Sequence, residues 1–131
     1  MRLMPPMLLM TALFLTACAA KESGIRDPIR FREVAERTVI MSVRSTENLI
    51  ACFRENAILL PTTEFIPGDD VDSTLYRLRP FGFTFEEIMF RPAADGGSTA
   101  ELLLAPGVNA RWRRDLELGR LQPLLNCADS P

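Results

Sequence analysis

No histidine occurs among the 131 residues, and this absence excludes several familiar kinds of active site. A serine or cysteine nucleophile commonly needs a histidine as its proton acceptor, so Ser-His and Cys-His pairs cannot form. Zinc sites with histidine ligands are excluded for the same reason. We predict that the chain is not an enzyme and that it holds neither a metal ion nor another cofactor.

The chain also has no excess of positively charged residues. The chain has 15 Lys and Arg residues against 17 Asp and Glu residues, a net charge of −2, and Lys21 is its one lysine. Because there is no basic surplus, binding to nucleic acid has no electrostatic basis. A hydrophobic share of 47% with 24% charged residues is typical of a globular protein, and the length fits one domain.

The hydrophobic stretch at the start of the chain is short. Residues 3–15 are almost uncharged, follow Arg2 and contain Pro5 and Pro6. About 20 apolar residues are needed to cross a bilayer, so this stretch is too short for a stable transmembrane helix. Its pattern is instead that of the core of a signal peptide, which is removed on export.

The stretch ends in Leu15-Thr16-Ala17-Cys18, which resembles the lipobox of bacterial lipoproteins: an aliphatic residue, two small residues and a cysteine. The resemblance implies a diacylglyceryl group on the Cys18 thiol and cleavage before this residue, so that residues 1–17 are the signal peptide. Fatty acyl chains such as palmitate would then hold the mature protein at a membrane.

The residues around Cys18 also allow an alternative form of cleavage and indicate the membrane to which the protein is sorted. Ala17-Cys18-Ala19 has the small residues of an ordinary secretory signal, so cleavage without lipidation is the alternative. In the lipoprotein family, Asp after the lipidated cysteine retains the protein in the inner membrane. Because Ala19 stands at that position, the resemblance implies the outer membrane, on its periplasmic side.

Cys52 and Cys127 are the two cysteines that remain if Cys18 carries lipid. An even number of thiols in an exported chain predicts a disulfide, because the compartment is oxidising. The long loop that this bridge closes gives an expected stabilisation of roughly 4 kcal/mol by chain entropy. Two buried, unpaired thiols are the alternative.

The remainder of the chain predicts a single α+β domain over residues 31–131, preceded by a flexible tether over residues 18–30. Strands are predicted at residues 38–44, 75–79, 83–91 and 98–105, with turns at Pro80-Phe81-Gly82 and Asp95-Gly96-Gly97. Strands joined by such short turns predict a small, mainly antiparallel sheet.

Two helices are predicted beside this sheet. One covers residues 47–56 after a cap at Ser45 or Thr46, and the other covers residues 108–121, with Pro123 beginning a final turn. Both are expected to pack on one face of the sheet, pinned by the disulfide. The whole arrangement resembles small uncharacterised proteobacterial lipoproteins, and this resemblance implies no particular activity.

Aromatic residues near the second hairpin are the main candidates for binding a partner. These residues are Phe81, Phe83, Phe85 and Trp112. Alternate residues of a strand normally fill the core, and this is the alternative for the phenylalanines. If they point outward, they form an apolar patch for a protein or for an acyl chain.

Acidic residues form two weaker candidates. Asp69, Asp70 and Asp72 do not have the spacing of a calcium-binding loop, so they predict an exposed turn. Glu86 and Glu87 are adjacent on a predicted strand and should point to opposite faces. Adjacent positions therefore argue against a paired-carboxylate active site.

These observations favour a non-enzymatic binding or adaptor module for an envelope component, with an envelope protein as the expected partner. The alternative is an acyl-chain or lipid carrier, and a periplasmic enzyme is a more distant one. An enclosed apolar cavity would favour the carrier, an exposed apolar patch the adaptor, and two carboxylates in one cleft the enzyme.

Overall fold

A five-stranded antiparallel sheet is the centre of the structure, a computed structural model that describes residues 24–130. The strands are β1 (Glu36–Ser42), β2 (Thr63–Pro67), β3 (Thr74–Leu78), β4 (Glu86–Pro92) and β5 (Ser98–Leu104). The helices are α1 (Pro28–Val34), α2 (Thr46–Asn56), α3 (Ala110–Leu116) and α4 (Gln122–Asp129). The strand order is β1-β5-β4-β3-β2, so β1 and β2 are the edges. The expected α+β class with an antiparallel sheet is confirmed.

Alternation along the strands assigns one face of the sheet to the main core. On β4, Ile88 and Phe90 point to the side that α2 covers, and both are fully buried. Phe53 of α2 lies over this face, with its ring 5.6 Å from the ring of Tyr76 and 5.7 Å from that of Phe90. Aromatic contacts of this kind add to the stabilisation from buried area, so they help to fix α2 on the sheet.

Two local features predicted from the sequence are confirmed. The Ser45 side chain caps α2 by accepting a hydrogen bond from the Asn48 backbone N–H at 3.2 Å. The turn at Asp95-Gly96-Gly97 joins β4 to β5, and Gly96 there has a φ of 90°, which favours glycine. In both places the hydrogen-bonding or backbone preference of one or two residues determines where the helix or strand begins.

The segment before β1 differs from the flexible tether expected up to residue 30. Asp27 caps α1 with its side chain, and Pro28 occupies the first position of this helix. Phe31 is fully buried, and Ile25 pairs with Thr84 through two backbone hydrogen bonds of 2.8 and 3.0 Å. The chain is therefore held against the domain from residue 24 onward, because the Asp-Pro helix start and the buried aromatic anchor it.

The sequence does not predict β2, which lies at one edge of the sheet. This strand pairs with β3 from Thr63, opposite Leu78, to Pro67, opposite Thr74. The proline signals a turn in the sequence, but an edge strand tolerates it because its outer N–H groups have no strand partner. Pairing with β3, which no local pattern reveals, therefore decides the conformation of this segment.

The C-terminal helix continues past the point where the sequence predicts its end. A π-helical turn over Glu117–Leu121 joins α3 to α4, and Pro123 lies in the first turn of α4. Proline has no N–H to donate to the Gly119 carbonyl, and this carbonyl accepts instead from the Ile58 backbone N–H at 2.8 Å. Gly119 permits that approach, because a Cβ there would lie 3.2 Å from the Ile58 Cβ. The wider turn and the glycine thus let the helix run past the proline.

A disulfide between Cys52 and Cys127 joins α2 to α4, which confirms the predicted pairing. The two Cα atoms are 5.9 Å apart, within the range of about 4.4–6.8 Å that a disulfide allows. The two cysteines are separated by 75 residues, so the bridge closes a long loop. Closing a long loop removes more conformational entropy from the unfolded chain than closing a short one.

Replacing both bridge cysteines, Cys52→Ser with Cys127→Ser, is expected to lower the free energy of unfolding by about 4 kcal/mol, because the unfolded chain regains the freedom that the loop removes. Urea denaturation followed by circular dichroism measures this loss. Reduction of the unaltered protein is the control and should produce a loss of similar size. An unfolding free energy that neither treatment changes would contradict the stabilising role of the bridge.

Candidate functional site

A fully buried ion pair lies between the sheet and the C-terminal helix. Glu86 on β4 is 0% exposed, and Arg120 in the π-helical turn is 2% exposed. The guanidinium donates to both carboxylate oxygens, from Nε to Oε1 and from Nη2 to Oε2, at 2.8 Å each. A bidentate pair of this kind fixes both the position and the orientation of the two side chains.

Two aromatic side chains complete the surroundings of the Glu86 carboxylate. The Tyr76 hydroxyl donates to Oε1 at 2.6 Å, and the Trp112 indole N–H donates to Oε2 at 3.0 Å. Each carboxylate oxygen therefore accepts two hydrogen bonds. We call Glu86, Arg120, Tyr76 and Trp112 the buried polar cluster.

The buried polar cluster shifts the pKa values of two of its members. Burial acts to lower the pKa of the Arg120 guanidinium, but the hydrogen bonds and the negative charge of Glu86 outweigh it, and the pKa rises. Burial, followed by the charge of Glu86, raises the pKa of the Tyr76 hydroxyl. Both groups therefore keep their protons at neutral pH, as their hydrogen bonds to the carboxylate require.

The geometry of the buried polar cluster suits a structural role. The carboxylate has its acceptor positions filled, and both charged side chains are shielded from solvent. A general acid or base must instead lie within about 3 Å of a substrate proton. The neighbouring Glu87 points to the opposite face, as expected, and its carboxylate lies 3.4 Å from the Arg32 guanidinium.

The sequence does not reveal this cluster, for two physical reasons. Glu86 shares its strand face with Ile88 and Phe90, which is a signal for a buried carboxylate, but the adjacent Glu87 makes the pair resemble ordinary surface charge. Arg120 faces the core because of the π-helical turn, and such turns have no simple sequence signature.

The four aromatic residues predicted as a partner-binding surface, Phe81, Phe83, Phe85 and Trp112, do not form one surface. Phe85 and Trp112 are partly buried and stack on each other, with ring centroids 4.5 Å apart. Phe81 is 97% exposed and Phe83 is 37% exposed, and both lie in the connection between β3 and β4. The structure therefore separates a packed pair from an exposed pair.

The exposed pair belongs to residues 80–83, which we call the aromatic turn. Arg79 holds this turn, because its Nε donates to the Gly82 carbonyl at 3.2 Å and its Nη2 donates to the Arg26 carbonyl at 3.1 Å. The Arg26 guanidinium in turn lies over the Phe83 ring, 5.4 Å from its centroid. Side-chain contacts thus link the aromatic turn to the segment that precedes α1.

A second exposed apolar feature lies along the edge strand β1. Val39 is 62% exposed and Met41 is 73% exposed, and these alternate residues project from the sheet face that α2 does not cover. Val43, directly after the strand, is 77% exposed. In residues 24–130 the outer side of β1 makes no backbone hydrogen bond. We call this strand with its exposed side chains the β1 edge.

Asp69, Asp70 and Asp72, predicted as an exposed turn, lie in the loop between β2 and β3, and the first two pair with arginines. Asp69 is 3.1 Å from Arg32, and Asp70 is 2.8 Å from Arg91. Within the part of the chain that the structure describes, no group of three or more acidic or cysteine side chains is arranged to hold a metal ion.

Cys18, the predicted lipidation site, lies outside the residues that the structure describes. Among residues 24–130, no helix is long and apolar enough to cross a membrane. Comparisons with protein-family models, curated proteins and solved structures find no match to this chain. The contacts described above are therefore the basis for a proposed function.

Removing the cation of the buried polar cluster with Arg120→Met is expected to lower the free energy of unfolding by about 3–5 kcal/mol, because it leaves the Glu86 carboxylate buried without a counter-charge. Chemical denaturation measures the loss. The double variant with Glu86→Gln should lose less, since no uncompensated charge then remains.

Arg113→Met is the matched control, because Arg113 pairs with Glu36 at 2.6 Å where both side chains are substantially exposed. Exposed pairs contribute about 0–1 kcal/mol, so this variant should remain close to the unaltered protein. Equal losses for Arg113→Met and Arg120→Met would contradict the special role of the buried pair.

Proposed function

We propose that the protein is a membrane-anchored periplasmic lipoprotein that binds another envelope protein and catalyses no reaction. Lipid on Cys18 attaches it to the periplasmic side of the outer membrane, and the β1 edge receives a strand of the partner. The lipobox and Ala19 support the location. The exposed β1 edge is the observation that carries the binding role.

The β1 edge has the chemistry of a strand-addition site. Residues 38–43 contain no charged residue, no proline and no glycine, and most of them are β-branched. An open edge offers backbone N–H and C=O groups for a new ladder, while alternate side chains supply apolar contact. A strand with these properties associates with another strand unless something covers it.

The opposite edge of the sheet illustrates how edges are normally protected. β2 is five residues long, ends at Pro67 and carries Glu64, which pairs with Arg77 at 3.1 Å. Short length, proline and charge are common protections of edge strands. β1 is seven residues long and has none of these beyond its first two residues. The contrast therefore supports β1 as the edge that remains available.

The charged residues at the start of β1 indicate whether the partner strand needs to be charged. Glu36 accepts hydrogen bonds from Arg113 at 2.6 and 3.0 Å, and Arg37 donates to Glu101 at 3.0 Å. Because these charges are already compensated within the domain, they do not require an oppositely charged partner. The partner that fits is an extended, uncharged segment with apolar side chains at alternate positions.

The grooves of the described residues give less support to an acyl-chain carrier. One groove of about 490 Å³ lies at the start of α2 and opens to solvent, and its lining includes Ser45, Thr46, Glu47 and Gly96. The space under α2 is filled by side chains such as Phe53. Carriage of an acyl chain calls for a pocket that encloses the chain, and this groove is open. The open β1 edge therefore favours protein binding over lipid transport.

The variant Cys18→Ser is expected to lose incorporation of radioactive palmitate and cleavage before residue 18, because it lacks the thiol that accepts the diacylglyceryl group. Labelling in cells with gel analysis measures both losses. The variant Cys52→Ser with Cys127→Ser is the control and should retain the label. Labelling that persists in Cys18→Ser would contradict lipidation. Recovery of the unaltered protein only with inner membranes would contradict the proposed outer-membrane location.

Binding at the β1 edge is tested with a photoreactive amino acid at Met41 in living cells. We expect a crosslink to another envelope protein, and we expect Val39→Lys to abolish it, because an edge lysine obstructs strand addition. Val39 lies opposite Glu101 on β5, so the new lysine has an opposite charge beside it and the fold should be retained.

The control position for this crosslink is Ile58, which is apolar and 65% exposed but lies outside β1. Equal crosslinking from positions 41 and 58 would contradict a specific edge. A crosslink that joins only two copies of this chain would show self-association in place of the proposed partner.

A further inference from the structure

Phe81 combines a left-handed backbone conformation with an exposed side chain. A hydrogen bond from the Phe83 backbone N–H to the Pro80 carbonyl, 3.1 Å long, closes the turn that imposes this conformation, but the ring itself is left uncovered by the described residues. The φ of Phe81, 55°, lies in the left-handed region, which residues with a Cβ seldom adopt. Its side chain is 97% exposed, so burial in the fold does not compensate for the strain. Strained residues of this kind cluster where a protein contacts a ligand or a partner.

The aromatic turn is held beside the first described residues of the chain. Ile25 and Thr84 exchange two backbone hydrogen bonds, in addition to the arginine contacts of the turn. Gly24 packs so closely that a Cβ on it would lie 2.8 Å from the Phe83 Cβ and from the Phe85 ring. The position of the aromatic turn relative to residue 24 is therefore fixed.

This position places the turn close to a membrane if Cys18 carries lipid, a premise that rests on the proposed function. Cys18 precedes Gly24 by six positions, and a chain of this length spans at most about 20 Å. Gly24, and the aromatic turn packed against it, thus lie within about 20 Å of the lipid headgroups for any path of the intervening residues.

We propose that the aromatic turn is a second membrane contact, in which Phe81 inserts into the headgroup region of the bilayer that holds the anchor. Insertion removes an exposed aromatic side chain from water, which is favourable. Arg26 and Arg79, at the base of the turn, come close to phospholipid phosphates, which attract them. A lipid surface is the occupant because the chain that emerges beside the turn leads to the acylated residue.

The acidic loop at the other end of β3 favours the same orientation. Asp69, Asp70 and Asp72 precede this strand, whereas the aromatic turn follows it, so the two lie at opposite ends of the sheet. Asp69 and Asp70 are compensated by Arg32 and Arg91, so the charge that anionic headgroups repel is that of Asp72, and this repulsion favours the orientation with the loop away from the bilayer. The strands then run away from the membrane, and the β1 edge remains open to the periplasm.

The test uses the full lipidated chain in vesicles of phosphatidylethanolamine and phosphatidylglycerol. Lipid occupies Cys18 and the disulfide occupies the other two cysteines, so Phe81→Cys supplies a single thiol for an environment-sensitive fluorophore. Val71→Cys is the matched control, because Val71 is apolar, 85% exposed and located in the acidic loop. We expect a blue shift and quenching by brominated phospholipid at position 81 and neither effect at position 71.

The outcomes separate this inference from the proposed function. Equal emission at both positions, in protein that is bound to vesicles, would overturn the membrane contact and leave the lipid anchor standing. Failure of the unaltered protein to associate with vesicles would overturn the anchor and the contact that rests on it. A blue shift at position 81 without quenching by brominated lipid would indicate a protein contact and would also overturn the proposal.

The variant Phe81→Gly distinguishes a membrane contact from a structural role. Glycine adopts the left-handed conformation without strain, so we expect the thermal midpoint of Phe81→Gly to equal or exceed that of the unaltered protein. A lower midpoint would show that Phe81 supports the fold and would overturn the proposal.

Discussion

A carboxylate buried between this sheet and its helices needs a counter-charge and hydrogen-bond donors, because burial of an isolated charge costs several kcal/mol. Glu86 obtains them from Arg120 of the C-terminal helix and from two aromatic donors. This requirement restricts the C-terminal helix to a rotation and register that direct Arg120 at the sheet. Once that register is fixed, Trp112 stacks on Phe85 and Cys127 lies opposite Cys52.

The register depends in turn on a short stretch of irregular helix. The π-helical turn changes the direction in which the side chains of its residues point, and Arg120 is one of these residues. Pro123 frees the Gly119 carbonyl, which then binds the backbone of Ile58, so the chain after α2 is tied to the same place. A glycine and a proline would normally end a helix. Here they leave the Gly119 carbonyl free to bind the chain after α2, and the π-helical turn points the Arg120 side chain at the sheet. An apolar pair of equal volume could match the stability, so we expect the ion pair to contribute mainly to the choice of one register.

Local chemistry made part of this structure predictable from its sequence, and long-range burial made the rest unpredictable. The Ser45 cap, the Asp95-Gly96-Gly97 turn and the Cys52–Cys127 bridge each depend on a few residues with a definite preference. β2 and the extension past Pro123 depend on neighbours distant in sequence. Phe81, Phe83 and Phe85 alternate like residues on one strand face, but the left-handed backbone at Phe81 and Gly82 ends that alternation before β4 begins.

The disulfide encloses residues 52–127, which contain four of the five strands, whereas α1 and β1 lie outside the closed loop. A mechanical force that enters at residue 24 and acts along the strands therefore reaches α1 and β1 first. The seven residues of β1 pair with β5 across that direction, so their hydrogen bonds are loaded in shear and must yield together. If they yield, the covalent bridge stops further unravelling at Cys52. The released segment from residue 24 to residue 52 can then extend to a total length of at most roughly 95 Å, while the remaining four strands stay within the closed loop.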